Sequence, residues 1–143
     1  MKLYCTYIET DKFDEVVYFY EKIFQTKGKF LTKNRWIEFD FGNKLSIYNK
    51  LYDEEKIKSK NLQVFNEEYI KDFNIDRGEH KNNIVTFNFY TSNLNEEYDR
   101  IKKLNICNMS EIMYVSVNNT KPYYYFNIYD PEDNTIEICS DSL

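Results

Sequence analysis

Alanine is absent from the 143 residues, and glycine (3), proline (2), histidine (1) and tryptophan (1) are scarce. The single histidine, His80, lies in the polar stretch Arg77-Gly78-Glu79-His80-Lys81-Asn82. Every Ser-His-Asp or Cys-His device of nucleophilic catalysis would have to pass through that one residue. It reads as an exposed loop histidine. Cys5, Cys107 and Cys139 are odd in number and far apart, with no CxxC. That excludes a zinc ribbon and argues against a disulfide framework, leaving free thiols. No stretch approaches 18 uncharged apolar residues, so no transmembrane helix and no membrane partner are expected. The first residues, MKLYCTYIET, lack the apolar core of a secretory leader, and a cytoplasmic location is expected. Nineteen basic residues against 24 acidic ones give a net charge of −5. No basic stripe forms, so nucleic acid is not an expected partner.

Aromatic residues, by contrast, make up 18%, with 14 Tyr and 11 Phe, and hydrophobic residues 42%. This is a chain that can bury a core rather than a disordered tail. Residues 3–9 alternate and read as a strand. Asp11 is placed to cap an amphipathic helix carrying Phe13, Val16, Val17, Tyr20, Ile23 and Phe24 at helical spacing, with Gly28 closing the region. Strand patterns follow at Lys29–Leu31, Trp36–Phe41 and Lys44–Tyr48, with turns at Asn34 and Gly42-Asn43. Residues 50–83 change character. The charged run Asp53-Glu54-Glu55-Lys56 precedes Leu62, Val64, Phe65, Tyr69, Ile70 and Phe73. A long connection with one or two short helices is expected, acting as a plain connector, a lid or a dimer arm.

The next segment repeats the first. Residues 84–91 alternate, and Asn93 with Glu96 forms a capping-box pattern ahead of Leu94, Tyr98, Ile101 and Leu104. Glu96/Arg100 and Asp99/Lys103 are spaced as i,i+4 ion pairs. Strand patterns follow at 111–117, 122–129 and 134–139. A constant offset of about 81 residues superposes Cys5 on Thr86, Phe13 on Leu94, Tyr20 on Ile101 and Ile23 on Leu104, the mark of an internal duplication. The expected architecture is α+β: tandem βαβββ modules whose curved mixed sheets form a cleft. The first module spans 1–50, the connecting segment 51–83 and the second module 84–143, within one compact domain.

Two motifs give this pattern a likeness. Phe19-Tyr20-Glu21-Lys22-Ile23-Phe24 resembles an FYxxxxG helix end. The run from Phe126 through Asp130-Pro131-Glu132-Asp133-Asn134 to Ile138 resembles the hairpin F-x-x-x-D-P-D-G-N-x-I-E-I, with Asp133 in the glycine place, where positive φ is expected. With the duplication, the chain resembles the vicinal oxygen chelate superfamily, the glyoxalase/bleomycin-resistance proteins.

Strand alternation assigns Ile8, Leu45, Ile47, Val85, Phe87, Phe89, Phe126, Ile128, Ile136 and Ile138 to the helix-covered core. The opposite faces supply the candidate ligand-binding residues: Cys5, Tyr7, Trp36, Glu38, Ser46, Tyr48, Thr86, Asn88, Tyr90, Tyr125, Asn127 and Glu137. Such a polar and aromatic set suits a small molecule. Metal enzymes of the resembled superfamily use two His and two Glu. The matched positions here carry Cys5, Ser46, Thr86 and Glu137, so the resemblance implies neither a metal ion nor another cofactor, and no catalytic residue is identified. It implies a non-enzymatic small-molecule binding protein, with a cationic or aromatic drug-like ligand favoured by the acidic, aromatic faces. The alternative is a glyoxalase-like lyase or dioxygenase-type enzyme with atypical or no metal ligands. A homodimer is implied as well.

Overall fold

The computed structural model describes residues 4–59, 65–74, 82, 84–116 and 123–143. The chain divides into two compact units, Met1–His80 and Lys81–Leu143. His80, Leu62 and Val64 lie outside the described residues.

In the first unit, β1 (Thr6–Thr10), β2 (Lys29–Thr32), β3 (Trp36–Asp40) and β4 (Lys44–Asn49) form one sheet in the order β1-β4-β3-β2. β1 runs parallel to β4, and the other neighbours are antiparallel. The parallel pair needs a crossover, which α1 (Phe13–Ile23) supplies. That helix buries Phe13, Val16, Phe19, Tyr20 and Ile23 and packs against β4. Leu45 and Ile47 are buried, as is Ile8, as the alternation requires. Asp11 does not cap α1. The cap position is Lys12, whose backbone N–H donates to Thr10 Oγ1. The helix ends in a turn with Gln25 at φ 51°, so Gly28 has another task. A Cβ on Gly28 would lie 2.5 Å from Ile37 Cδ1; only glycine lets the backbone come this close to the core of β3. Asn34 (φ 61°) and Gly42 (φ 86°) make the two hairpin turns in the left-handed region. The connection carries α2 (Lys50–Lys58), which follows β4 without a loop, and α3 (Glu67–Phe73), whose cap Asn66 accepts the Tyr69 N–H.

The second unit repeats the design, with β5 (Phe87–Tyr90), α4 (Leu94–Leu104), β6 (Met113–Val115), β7 (Tyr123–Tyr129) and β8 (Thr135–Ser140). Its sheet order is β5-β8-β7-β6, again with one parallel pair, β5 and β8. The repeat extends to the register: Thr6 pairs with Leu45 as Phe87 pairs with Ile136. α4 lies against β7 and β8 and buries Leu94, Tyr98 and Ile101. Asn93 caps it by accepting the Glu96 N–H at 3.2 Å, while the Asn93 amide donates to the Glu96 carboxylate at 3.0 Å. Arg100 lies on Glu97, three residues back, at 2.7 Å. Phe126, Ile128, Ile136 and Ile138 are buried as expected.

Val85 is not core. It is 54% exposed and precedes β5, because the ladder with β8 begins only at Phe87. Phe87 and Phe89 are partly covered rather than buried. The β7–β8 turn explains its motif. Asp130 is buried, and its Oδ1 accepts the backbone N–H of Glu132 and Asn134, while Oδ2 accepts the Asn134 amide. Asp133 stands at φ 62°, a conformation that Asp tolerates better than most residues.

Candidate functional site

Each sheet has one face packed on its helix and one face lined by polar and aromatic side chains. On the first sheet, the register sets these residues in rows. Tyr7 lies beside Ser46, and Ser46 lies opposite Glu38. In the next row Glu9 lies beside Tyr48, and Tyr48 lies opposite Trp36. The rings of Tyr7 and Trp36 are 5.1 Å apart, and Tyr48 is 6.0 Å from Trp36 and 6.5 Å from Tyr7. Such spacings are those of interacting aromatic pairs. Tyr7 remains 53% exposed. Cys5 is partly exposed and lies just ahead of β1.

Glu38 Oε1 accepts Lys44 Nζ at 2.8 Å, and this bond holds the ammonium pKa above its usual value. Glu38 Oε2 and Ser46 Oγ are both buried and receive no hydrogen bond from the described residues. A buried polar group without a hydrogen-bond partner costs about 1–3 kcal/mol, and here a carboxylate oxygen and a hydroxyl sit on adjacent strands.

At the end of the same face, Tyr48 is drawn into a cluster that sequence reasoning missed. Asp53, on α2, is fully buried. Its Oδ1 accepts Arg35 Nε at 2.7 Å and its Oδ2 accepts Arg35 Nη2 at 2.8 Å, a bidentate pair. Oδ2 also accepts the hydroxyls of Tyr48 and Tyr69, each at 2.6 Å. The Arg35 guanidinium lies over the Tyr48 ring at 5.2 Å. Burial alone would push the Asp53 carboxyl up. The hydrogen bonds from Arg35, Tyr48 and Tyr69 outweigh it and hold the carboxyl below its usual range. Burial and then the bond to Asp53 push the Tyr48 phenol up, so it stays a donor. The cluster ties β4, α2 and α3 together, and it leaves the Tyr48 hydroxyl committed. Its only sequence signal was Asp53 at the head of a charged run, which reads as solvated surface.

On the second sheet the corresponding row is Asn88, Glu137 and Asn127. Glu137 Oε1 accepts the Tyr123 hydroxyl at 2.7 Å and the Asn88 amide at 2.5 Å. Asn88 also donates to the Tyr123 oxygen at 2.8 Å, and the Cys139 thiol donates to Asn88 Oδ1 at 3.4 Å. Burial, with the bond to Cys139 next, raises the Tyr123 phenol well above its usual value. Glu137 Oε2 receives no hydrogen bond from the described residues. Asn127 Oδ1 is buried and also lacks a donor. Tyr125 is partly buried beside Tyr123, with ring centroids 5.7 Å apart. Tyr90, 66% exposed, pairs with Cys139 at the end of the ladder. Thr86 is exposed and precedes β5, so the strand neighbour of Glu137 is Asn88.

The matched metal positions do not compose a metal site within either unit. Cys5 brings a free thiol ahead of β1, Ser46 a hydroxyl enclosed in protein, Thr86 an exposed hydroxyl off the ladder, and Glu137 a carboxylate with one oxygen held by two donors, leaving a single open oxygen. Among the described residues no three His, Cys, Asp or Glu side chains converge. A divalent ion needs several ligands in fixed geometry, and these residues do not fit one.

No protein-family model matches the sequence, and no curated protein matches it. Solved structures do match its fold. The lactoylglutathione lyase from Agrobacterium tumefaciens is 17% identical with a TM-score of 0.59, covering 97% of this chain and 92% of that one. A glyoxalase/bleomycin resistance protein/dioxygenase from Alicyclobacillus acidocaldarius is 14% identical with a TM-score of 0.62, covering 97% and 90%. A genomically encoded fosfomycin resistance protein from Listeria monocytogenes is 14% identical with a TM-score of 0.61, covering 98% and 93%. Two four-stranded mixed sheets, each with one parallel pair and its own crossover helix, give this chain a glyoxalase/bleomycin-resistance-like fold.

Proposed function

We propose that this protein binds a small organic cation and does so without a divalent metal ion. The supporting observation is the state of Glu137. Tyr123 and Asn88 fix one of its oxygens and orient the other as an acceptor. A fixed carboxylate on a face rich in tyrosine is suited to an ammonium or amidinium group with an apolar body. The same residues supply no ligand set through which a Lewis acid could activate a carbonyl or an epoxide. Glu137→Gln should keep the fold, because the amide oxygen still accepts from Tyr123 and Asn88. It should weaken binding of an arylalkylammonium probe such as benzylammonium by about tenfold, the worth of one charge-assisted hydrogen bond. Calorimetric titration of both proteins checks this, and equal affinities would contradict it.

A homodimer belongs to the same proposal. β2 is the edge strand of the first sheet, all four of its residues are exposed, and it carries Phe30 and Leu31. An apolar edge of this kind favours pairing with another chain. Light scattering at micromolar concentration should give twice the 17.5 kDa of the chain; a mass of one chain would contradict the dimer.

A further inference from the structure

We propose that the cavity bounded by the end of β1, by α2 and by α3 binds a free α-amino acid with an apolar side chain: Lys50 takes its carboxylate, Asp11 its ammonium, and Ile57 and Phe73 its side chain. The site belongs wholly to the first unit. It does not rest on the cation-binding reading, which is carried by Glu137 in the second.

The cavity measures about 340 Å³, within the range of small-molecule sites. It opens to water: Asp11 and Asn74 in its lining are exposed, while Lys50, Ile57 and Phe73 are partly covered. The ladder sets its two key groups side by side. Thr10 pairs with Asn49 at the end of the parallel strands β1 and β4, so the next residues, Asp11 and Lys50, leave neighbouring strands together. They do not pair with each other. Among the described residues nothing donates to the Asp11 carboxylate. The Lys50 ammonium stands 3.6 Å from half-exposed Glu9, too far for a hydrogen bond. Glu54 and Lys58, which also line the cavity, neutralise each other. The apolar wall is anchored as well. Phe73 lies on α3, its ring 6.1 Å from that of Tyr69, and the Tyr69 hydroxyl donates to buried Asp53.

The chemistry of the ligand follows from these groups. A carboxylate and an ammonium on adjacent backbones, each open to a partner, call for a ligand with the opposite charges set equally close. An α-amino acid carries both on one carbon. Two acidic and two basic side chains line the cavity, so their charges cancel and a neutral zwitterion keeps the balance. A simple amine would leave Lys50 without its anion, and a simple acid would leave Asp11 without its cation. Giving up the long, solvated pair with Glu9 costs Lys50 little. Ile57 and Phe73 then cover an apolar side chain and offer a polar one no partner.

Calorimetric titration with L-leucine, L-methionine and L-phenylalanine tests the site. At least one should bind saturably, at one site per chain. Its amide and its N-acetyl derivative, each lacking one charge, should compete with it at least about tenfold more weakly. Asp11→Asn and Lys50→Gln should each weaken the amino acid by about tenfold. Neither side chain makes a hydrogen bond within the described fold, so both variants should fold. Glu137→Gln should leave the affinity unchanged. The derivative series on the unmodified protein stands even where a variant fails to fold. No saturable heat with any of the three amino acids overturns the site. So does a derivative that competes as well as its parent, or unchanged affinity in folded Asp11→Asn or Lys50→Gln. Loss of binding in Glu137→Gln with none in Asp11→Asn would put the ammonium on Glu137; the cation-binding reading would then survive and this site would not.

Discussion

Asp53→Ala should lower the free energy of unfolding by about 3–5 kcal/mol, the cost of leaving one partner of a buried ion pair without the other. The carboxylate is fully buried and takes four hydrogen bonds, two from Arg35 and one each from Tyr48 and Tyr69. Alanine would strand the guanidinium against the Tyr48 ring and leave two hydroxyls without their acceptor. Glu54→Ala, one residue on, removes only the exposed pair with Lys58 and should cost less than about 1 kcal/mol. Urea unfolding followed by circular dichroism compares the two, and a small loss in Asp53→Ala would mean that the cluster is hydrated in solution. The cluster also fixes a pH dependence. The folded carboxyl titrates below its unfolded value, so its contribution to stability is fully present above the unfolded carboxylate range. That contribution is lost as the pH falls through the folded value, and Asp53→Ala should lack this part of the acid limb.

Ile136→Ala should cost about 2–5 kcal/mol, through lost burial and the cavity left behind. Ile136 is fully buried between Phe87 and Ile128 in the ladder, on the face that meets α4. Glu137, the next residue, points to the other face, where Gln keeps the acceptor for Tyr123 and Asn88. Glu137→Gln should therefore stay within about 1 kcal/mol of the unmodified protein. Reversal of this order would contradict the facing of β8 and of every residue assigned by it.

The fold was legible in the sequence because duplication repeats both period and spacing. Residues 13–23 of α1 reappear as 94–104 of α4, and the same alternation that buries Leu45 and Ile47 buries Ile136 and Ile138. The Asp133 turn was legible for a local reason, since a short polar side chain stands where the left-handed region is needed. Val85 was misplaced because alternation continues past the point where hydrogen bonding stops; pairing with β8, which the local pattern does not encode, sets where β5 begins. The Arg35–Asp53–Tyr69 cluster was invisible for the same kind of reason. Its members are 18 and 16 residues apart, outside any helical or strand period, and Asp53 is followed by acids and lysines that do face water. Of the candidate site, the facing of Glu38, Ser46, Asn88 and Glu137 could be read from alternation. Which of their oxygens lack donors depends on partners brought from other strands.

The most direct measurement is a thermal-shift comparison of the unmodified protein with Mn²⁺, Ni²⁺ and Zn²⁺ against benzylammonium and larger arylalkylammonium ions. Ligands that bind the folded state raise its melting temperature. The organic cations should raise it in a saturable way, and the divalent ions should leave it unchanged. A saturable rise with a divalent ion and none with the organic cations would contradict the account.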